Sequence, residues 1–233
     1  VTSLTNNSPG TFAASTTTAI TWTACDAAGN CSTATQNVTI QDTIAPAITT
    51  QDLTVEATGP TTTADIASVT SATDVVGVTS LANNNAGPYP VGSTTVIWTA
   101  CDAAGNCSTK TQIVTIVDST PPDISNVCLT DRLWPPNHKM VLVSTGSASD
   151  IADPNPNLNI SVSSNQPING AGDGNTDPDW EAVDNGDGTY SVSLRAERAG
   201  NLGQRDYTVT ITATDASGNI STATCSASVP HDQ

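Results

Sequence analysis

Trp98-Thr99-Ala100-Cys101-Asp102-Ala103-Ala104-Gly105-Asn106-Cys107 ends a run of alternating apolar and polar residues and breaks into a turn of small residues between two cysteines. It reads as the end of a strand, a five-residue turn and the start of the next strand. Trp22 to Cys31 repeats the same ten residues. Ala213-Thr214-Asp215-Ala216-Ser217-Gly218-Asn219-Ile220 repeats the turn again, with Thr214 and Ile220 where the cysteines stood. Three copies of one hairpin imply three copies of one domain.

Working outward, Val1-Thr2-Ser3-Leu4 matches Val78-Thr79-Ser80-Leu81, 77 residues on, and from Trp22 to Cys31 against Trp98 to Cys107 the period is 76 residues. That is too long for a solenoid unit and suits a small β-sandwich. Three segments follow. Residues 1–41 are the second half of a repeat, without the half that residues 47–77 supply in the next copy. Residues 47–117 are a complete repeat. Residues 123–230 are a longer domain with a Gly/Asn/Asp-rich insertion from Asn165 to Gly188. Asp42-Thr43-Ile44-Ala45-Pro46 and Asp118-Ser119-Thr120-Pro121-Pro122 join them; proline makes both joints short and stiff. Because the first residue already lies inside a repeat, the chain reads as part of a longer precursor.

Within the second repeat, Leu53–Glu56, Ile66–Thr73 and Val78–Leu81 read as strands. Val96, Trp98 and Ala100 face inward at period two, as do Val114 and Ile116. Val209, Ile211 and Ala213 take the same places in the third domain. There Asn185-Gly186-Asp187-Gly188 is a hairpin turn before Tyr190–Leu194. No stretch carries helical periodicity, and aromatics are only 3% of the chain, so the class is all-β with thin cores.

A net charge of −16 excludes nucleic acid as a partner and disfavours anionic membranes. No run is long and apolar enough to insert in a bilayer. Aspartates recurring at fixed places in loops suit calcium, against the plainer reading that the charge only keeps an extracellular protein soluble. The six cysteines read as disulfides rather than redox or metal-binding thiols. Cys101 and Cys107 flank one turn on adjacent strands, as Cys25 and Cys31 do, and both positions change together in the third copy. Cys128 and Cys225 remain, a bond from the first to the last strand of the third domain.

Leu53-Thr54-Val55-Glu56-Ala57, Ala72-Thr73-Asp74, Tyr89-Pro90-Val91-Gly92-Ser93-Thr94-Thr95-Val96 and the Cys-Asp-x-x-Gly-Asn-Cys hairpin resemble the hyalin-repeat (HYR-type) family of extracellular immunoglobulin-like sandwiches. Residues 1–41 resemble the same family. Leu133 to Val141 and Arg195-Ala196-Glu197-Arg198 resemble a related module of bacterial secreted proteins. The resemblance implies tandem immunoglobulin-like domains on a secreted or surface protein; it says little about function, since such repeats decorate many proteins.

In a sandwich of that kind, three acidic loops should meet where the chain enters each domain. At the first joint these are Asp42, Asp74, and Asp102 with Asn106. At the second they are Asp118, Asp150 with Asp153 as a further candidate, and Asp215 with Asn219. Carboxylate, amide and backbone oxygens are what calcium takes. The competing reading is that Asp-Ala-Ala-Gly-Asn is simply a good turn.

An enzyme is not expected. There are two histidines, His138 and His231, and no nucleophile elbow or P-loop. Gly170-x-Gly172-x-Gly174 lacks the setting of a dinucleotide site. Asp173 to Asp179 mimics the start of an EF-hand loop but has Pro178 where glycine is needed. Glu181 and Glu197 are set aside as a glycosidase pair. His138 reads as a hydrogen-bonding residue. Trp134 and Trp180, in loop-like sequence, either plug the end of the sandwich or stack on a ligand. Asn37 and Asn159 begin glycosylation triplets, which matter only in a glycosylating host.

Three functions stand at this level. The first is a calcium-stiffened rod or adhesive stalk. The second is a filament subunit, with the incomplete first domain completed by another copy. The third is an accessory glycan-binding module of a secreted hydrolase. The partners implied are other copies of the chain or the rest of a longer one, with a surface glycan or protein receptor beyond.

Overall fold

The structure, a computed structural model, describes every residue except 169, 171–173, 175, 232 and 233. The glycine run at Gly172 and the EF-hand-like stretch at Asp173 and Asn175 therefore fall partly outside the described residues. The described residues form eighteen strands and no helix. The fold is all-β, built of immunoglobulin-like sandwich domains in tandem. Two compact units divide the chain. One comprises Val1–Thr54, Thr63–Pro88 and Ser93–Thr115; the other comprises Val55–Thr62, Tyr89–Gly92 and Ile116–Gln233.

β1 (Ser3–Asn6), β2 (Thr16–Cys25) and β3 (Cys31–Ile40) form an antiparallel sheet in that order. The register runs from Thr16 opposite Ile40 to Cys25 opposite Cys31, so the turn is closed at its base by the disulfide. Ile20 is the only buried residue of residues 1–41; Trp22, Ala24, Val38 and Ile40 are half-buried.

The next repeat begins with β4 (Ala47–Thr50), a strand the sequence reading does not anticipate, followed by β5 (Leu53–Glu56) and the short β6 (Thr61–Thr62). β7 covers only Thr70–Thr73 of the expected Ile66–Thr73. Ahead of it the Asp65 carboxylate accepts the Ser68 N–H and Ile66 O accepts the Thr70 hydroxyl, so residues 65–69 make a turn. β8 (Val78–Asn83), β9 (Tyr89–Pro90), β10 (Gly92–Asp102) and β11 (Cys107–Val117) follow. One sheet has the order β5-β11-β10-β8, and β4 pairs with β7 in another. Val96, Ala100 and Val114 are 0% exposed and Ile116 1%, the period-two face expected of them.

The third domain opens with β12 (Asp123–Cys128), β13 (Met140–Ser149) and β14 (Asn157–Ser164). β15 (Trp180–Asp184), β16 (Thr189–Arg195), β17 (Arg205–Thr214) and β18 (Ile220–Val229) complete it. Sheets β12-β13-β16-β15 and β14-β17-β18 enclose a core of Leu133, Val143, Tyr190, Leu194, Val209 and Ile211 with their neighbours. Within the second half of the expected insertion, Trp180–Asp184 is therefore strand. β15 is the partner that the turn at residues 185–188 pairs with β16, and Trp180 is its first residue rather than a loop residue. Cys128–Cys225 links β12 of one sheet to β18 of the other across 97 residues. A loop near that length is worth about 4–5 kcal/mol on the chain-entropy account.

Candidate metal centre

The repeated turn is built from one aspartate and one asparagine four residues on. In the second repeat the Asp102 carboxylate accepts the Asn106 backbone N–H at 2.9 Å and its side-chain N–H at 2.8 Å. Asp102 N–H in turn donates to Asn106 O at 3.1 Å. Gly105, at φ +89°, takes the left-handed bend that L side chains rarely adopt. The third hairpin does the same without a disulfide: Asp215 accepts Asn219 N–H at 2.8 Å and Nδ2–H at 2.9 Å, with Gly218 at φ +91°. The turn is thus specified by Asp, Gly and Asn, and the cysteines only staple it.

These hydrogen bonds also set the charge. Burial pushes the Asp102 carboxyl up, but the Asn106 side chain and the backbone N–H groups of Asn106, Ala104 and Gly105 outweigh it and hold the group below the usual carboxylate range. Asp215 is lowered in the same way, against burial, by Asn219, Gly218 and Ser217. Both aspartates are charged at neutral pH and nearly buried, at 5% and 6% exposure.

Around each of them two further aspartates gather. Asp42, from the first linker, and Asp74, from the turn before β8, each place a carboxylate oxygen within 4.8 Å of Asp102 and of each other. Asp118, from the second linker, and Asp150, at the end of β13, do the same with Asp215. Each triad lies inside one compact unit. Asp74 and Asp150 are aimed by their own turns: Asp74 Oδ1 accepts from Val76 and Gly77 N–H, and Asp150 Oδ1 from Ala152 and Asp153 N–H. Asp42 Oδ2 and Asp150 Oδ2 are buried from water and accept no hydrogen bond. Among the described residues no salt bridge reaches either triad.

Three sequence candidates take other places. Asp153 is outside the second triad: Oδ2 accepts the Ala216 N–H at 3.0 Å and Oδ1 the Asn155 N–H at 3.1 Å, so it braces the hairpin. Asn106 and Asn219 turn their amide N–H groups, not an oxygen, toward the acids. Each also donates to a linker carbonyl, Asn106 to Asp42 O at 3.1 Å and Asn219 to Asp118 O at 3.0 Å. Through these N–H groups each ties its turn to the linker.

The tryptophans part company. Trp180 packs against the core of the third domain, and Trp134 is 39% exposed. Glu181 is exposed on β15, whereas Glu197 is 1% exposed.

Glu197 belongs to a buried charge group that the sequence reading does not find. Arg205, fully buried, donates to Asp179 and lies 3.8 Å from Glu197 Oε1. Its guanidinium also sits 4.6 Å from the Tyr207 ring centroid. Arg195 approaches Glu197 Oε2 at 4.0 Å and donates to Pro178 O and His138 O, while His138 Nδ1 lies 3.0 Å from Glu197 Oε2. Burial is the main cause pushing the Tyr207 hydroxyl's pKa upward. The usable signal is scarcity: of only six lysines and arginines in the chain, five fall in this domain, and two of them, Arg195 and Arg205, are buried.

No protein-family model matches the chain and no curated protein matches it, so the hyalin-repeat resemblance rests on the motifs themselves. Among solved structures the chain is similar to the extracellular cadherin domains 1–4 of protocadherin gamma B7, at 13% identity and TM-score 0.42, over 91% of this chain and 57% of that one. It is similar to mouse protocadherin-24 EC1-3 at 15% identity and TM-score 0.34, over 91% of this chain and 78% of that one. Human desmocollin-1 ectodomain is similar at 16% identity and TM-score 0.27, over 89% of this chain and 43% of that one. The chain spans 57% and 36% of the first two cadherin structures it matches.

Proposed function

We propose that the chain is a segment of an extracellular structural or adhesive protein, secreted or surface-anchored, whose repeats at residues 1–41, 47–117 and 123–230 are stiffened at their joints by calcium. Three disulfides suit an oxidising compartment. The observation that carries the metal is the pair of acid triads, each with one carboxylate oxygen buried and unpartnered. Three carboxylates this close repel one another, and a buried acceptor without a donor costs about 1–3 kcal/mol. A hard divalent cation answers both.

Asp42, Asp74 and Asp102 would hold one ion, and Asp118, Asp150 and Asp215 a second. Each triad supplies carboxylate oxygens, with water and backbone oxygens completing the six to eight that calcium takes. The ion supplies charge neutralisation, and a linker aspartate tied to two loops of the following domain has little freedom to pivot. No catalytic role is proposed.

Calorimetric titration and thermal melting of the full chain test this. The expected result is two ions bound and a higher Tm in millimolar calcium than in chelator. Equal melting in both, with no heat of binding, removes the metal and with it the stiffened rod.

A further inference from the structure

The two acid triads share one plan but are not held alike. In both, the linker aspartate accepts the amide two residues on, Asp42 Oδ1 that of Ile44 and Asp118 Oδ1 that of Thr120, each at 3.2 Å. In both, an asparagine ties the turn to the linker carbonyl. They part at the other oxygen of the linker carboxylate. Asp118 Oδ2 accepts the Ser217 hydroxyl at 2.9 Å, from a residue 99 positions away. Asp42 Oδ2 is buried without a hydrogen bond, and the residue matching Ser217 in the second hairpin is Ala104, which has no hydroxyl. Asp118 is 7% exposed and Asp42 half-buried.

A second bond marks the same contrast. Asp153 Oδ2 accepts the Ala216 N–H across 63 residues, joining the loop after β13 to the hairpin. Counted from the triad aspartates Asp150 and Asp74, the residue matching Asp153 is Gly77, which has no side chain to do this. The first joint has one bond of its own, from the Ser108 hydroxyl to Pro46 O, with Ser221 Oγ unpartnered at the matching place. That bond grips the far end of the linker, four residues beyond the carboxylate.

Three carboxylates that repel one another stay assembled only where something holds them. At Asp118, Asp150 and Asp215 the chain itself does part of this. At Asp42, Asp74 and Asp102 the linker acid is free to swing toward water, so an ion must impose the order as it binds. Order already present before binding appears as affinity. The Ser217 hydroxyl occupies one lone pair of Asp118 Oδ2 and leaves another for a cation, so the bond and the ion are compatible. We infer that Ser217 and Asp153 are positioning residues that make the triad at Asp118 the tighter of the two proposed calcium sites, so that the second joint fills and stiffens at a lower calcium concentration than the first. This rests on the calcium reading of the triads. The competing role is mechanical: the third hairpin has no disulfide, and the two bonds would be a substitute for that staple and nothing more.

Single-site versions of the full chain separate the two. Asp74→Asn leaves only the second site, and Asp150→Asn only the first. Calorimetric titration with calcium should give the second site a Kd at least about tenfold lower, the effect typical of groups that orient metal ligands. In the Asp74→Asn chain, Ser217→Ala and Asp153→Ala should each raise Kd about tenfold. Ser217→Thr and Asp153→Asn, which keep the hydroxyl and an acceptor oxygen, should retain most of the affinity. In the Asp150→Asn chain, Ala104→Ser should lower Kd; this arm adds a hydroxyl, so the test survives a Ser217 variant that misfolds. In chelator, the Thr120 amide should be better protected from exchange than the Ile44 amide, and Ser217→Ala should narrow the gap. Equal affinities, a tighter first site, or a Kd indifferent to both Ser217→Ala and Ala104→Ser overturns the inference and leaves the calcium reading standing. A Ser217→Ala chain that melts lower in chelator yet binds calcium unchanged assigns Ser217 to the mechanical role and also overturns it. No heat of binding in the unsubstituted chain removes the calcium reading and this inference together.

Discussion

Asn106 holds Asp102 by both its backbone and its side-chain N–H, and the same side-chain amide reaches back 64 residues to the Asp42 carbonyl. One residue thereby completes a turn and ties it to the linker. Asn219 makes the equivalent contacts with Asp215 and the Asp118 carbonyl. A local turn motif has become the fixed side of the proposed ion site.

The two triads should be separable. Asp74→Asn and Asp150→Asn each remove a carboxylate from one triad only. Each variant should bind one calcium ion in place of two by calorimetry, and the double variant none. Two ions retained in both single variants would place the sites elsewhere.

Asn106→Ala leaves all three acids of its triad and the backbone N–H donated to Asp102 Oδ1 in place, but removes the side-chain N–H groups that hold Asp102 Oδ2 and the Asp42 carbonyl. Loss of a group that orients a metal ligand typically costs about 10–100-fold in affinity. That weakening is expected at the first site, with the second unchanged. Replacing Cys101 and Cys107 by serine should weaken calcium far less, because the hairpin at Asp215 makes the same contacts with no disulfide.

The disulfides should differ in their contribution to stability. Cys101 and Cys107 are six residues apart, so their removal should cost about 2 kcal/mol. Cys128 and Cys225 are 97 apart, and their removal should cost about 4–5 kcal/mol. Denaturant unfolding followed by exchange at β10 and at β17 reads the two effects separately.

Arg205→Met should be among the most damaging single changes. It leaves Asp179, 2% exposed, without its cation, and breaking a buried pair from one side costs about 3–5 kcal/mol. Adding Asp179→Leu should recover much of the loss. Unfolding midpoints of the single and double variants measure both.

Acid should loosen the hairpins in chelator. Asp102 and Asp215 have folded pKa values below the ordinary 3.8. Their contribution is therefore complete above that value and is lost as pH falls through the lower folded values. Stability should drop below about pH 4, and less steeply in Asp102→Asn, as read from denaturant midpoints across the acid range.

What the linear sequence determined was everything set by near neighbours. Asp, Gly and Asn within five residues fix each turn because their hydrogen bonds close locally, and period-two alternation placed Val96, Trp98, Ala100, Val209 and Ile211 inward. The aspartates proposed to meet at each joint could be named because the repeat itself shows where each loop falls. Only the tertiary structure decided burial and orientation. Trp22 and Trp98 sit in identical local sequence, yet one is half-buried and the other buried, because exposure depends on the layer across the sheet. Asn106 Nδ2–H reaches the Asp42 carbonyl 64 residues away and Asp153 turns to Ala216 N–H 63 residues away, choices made by groups distant in the chain. The pairing of Arg205 with Asp179 joins residues from different elements, and no local periodicity encodes a charge whose partner arrives only when the sheets close.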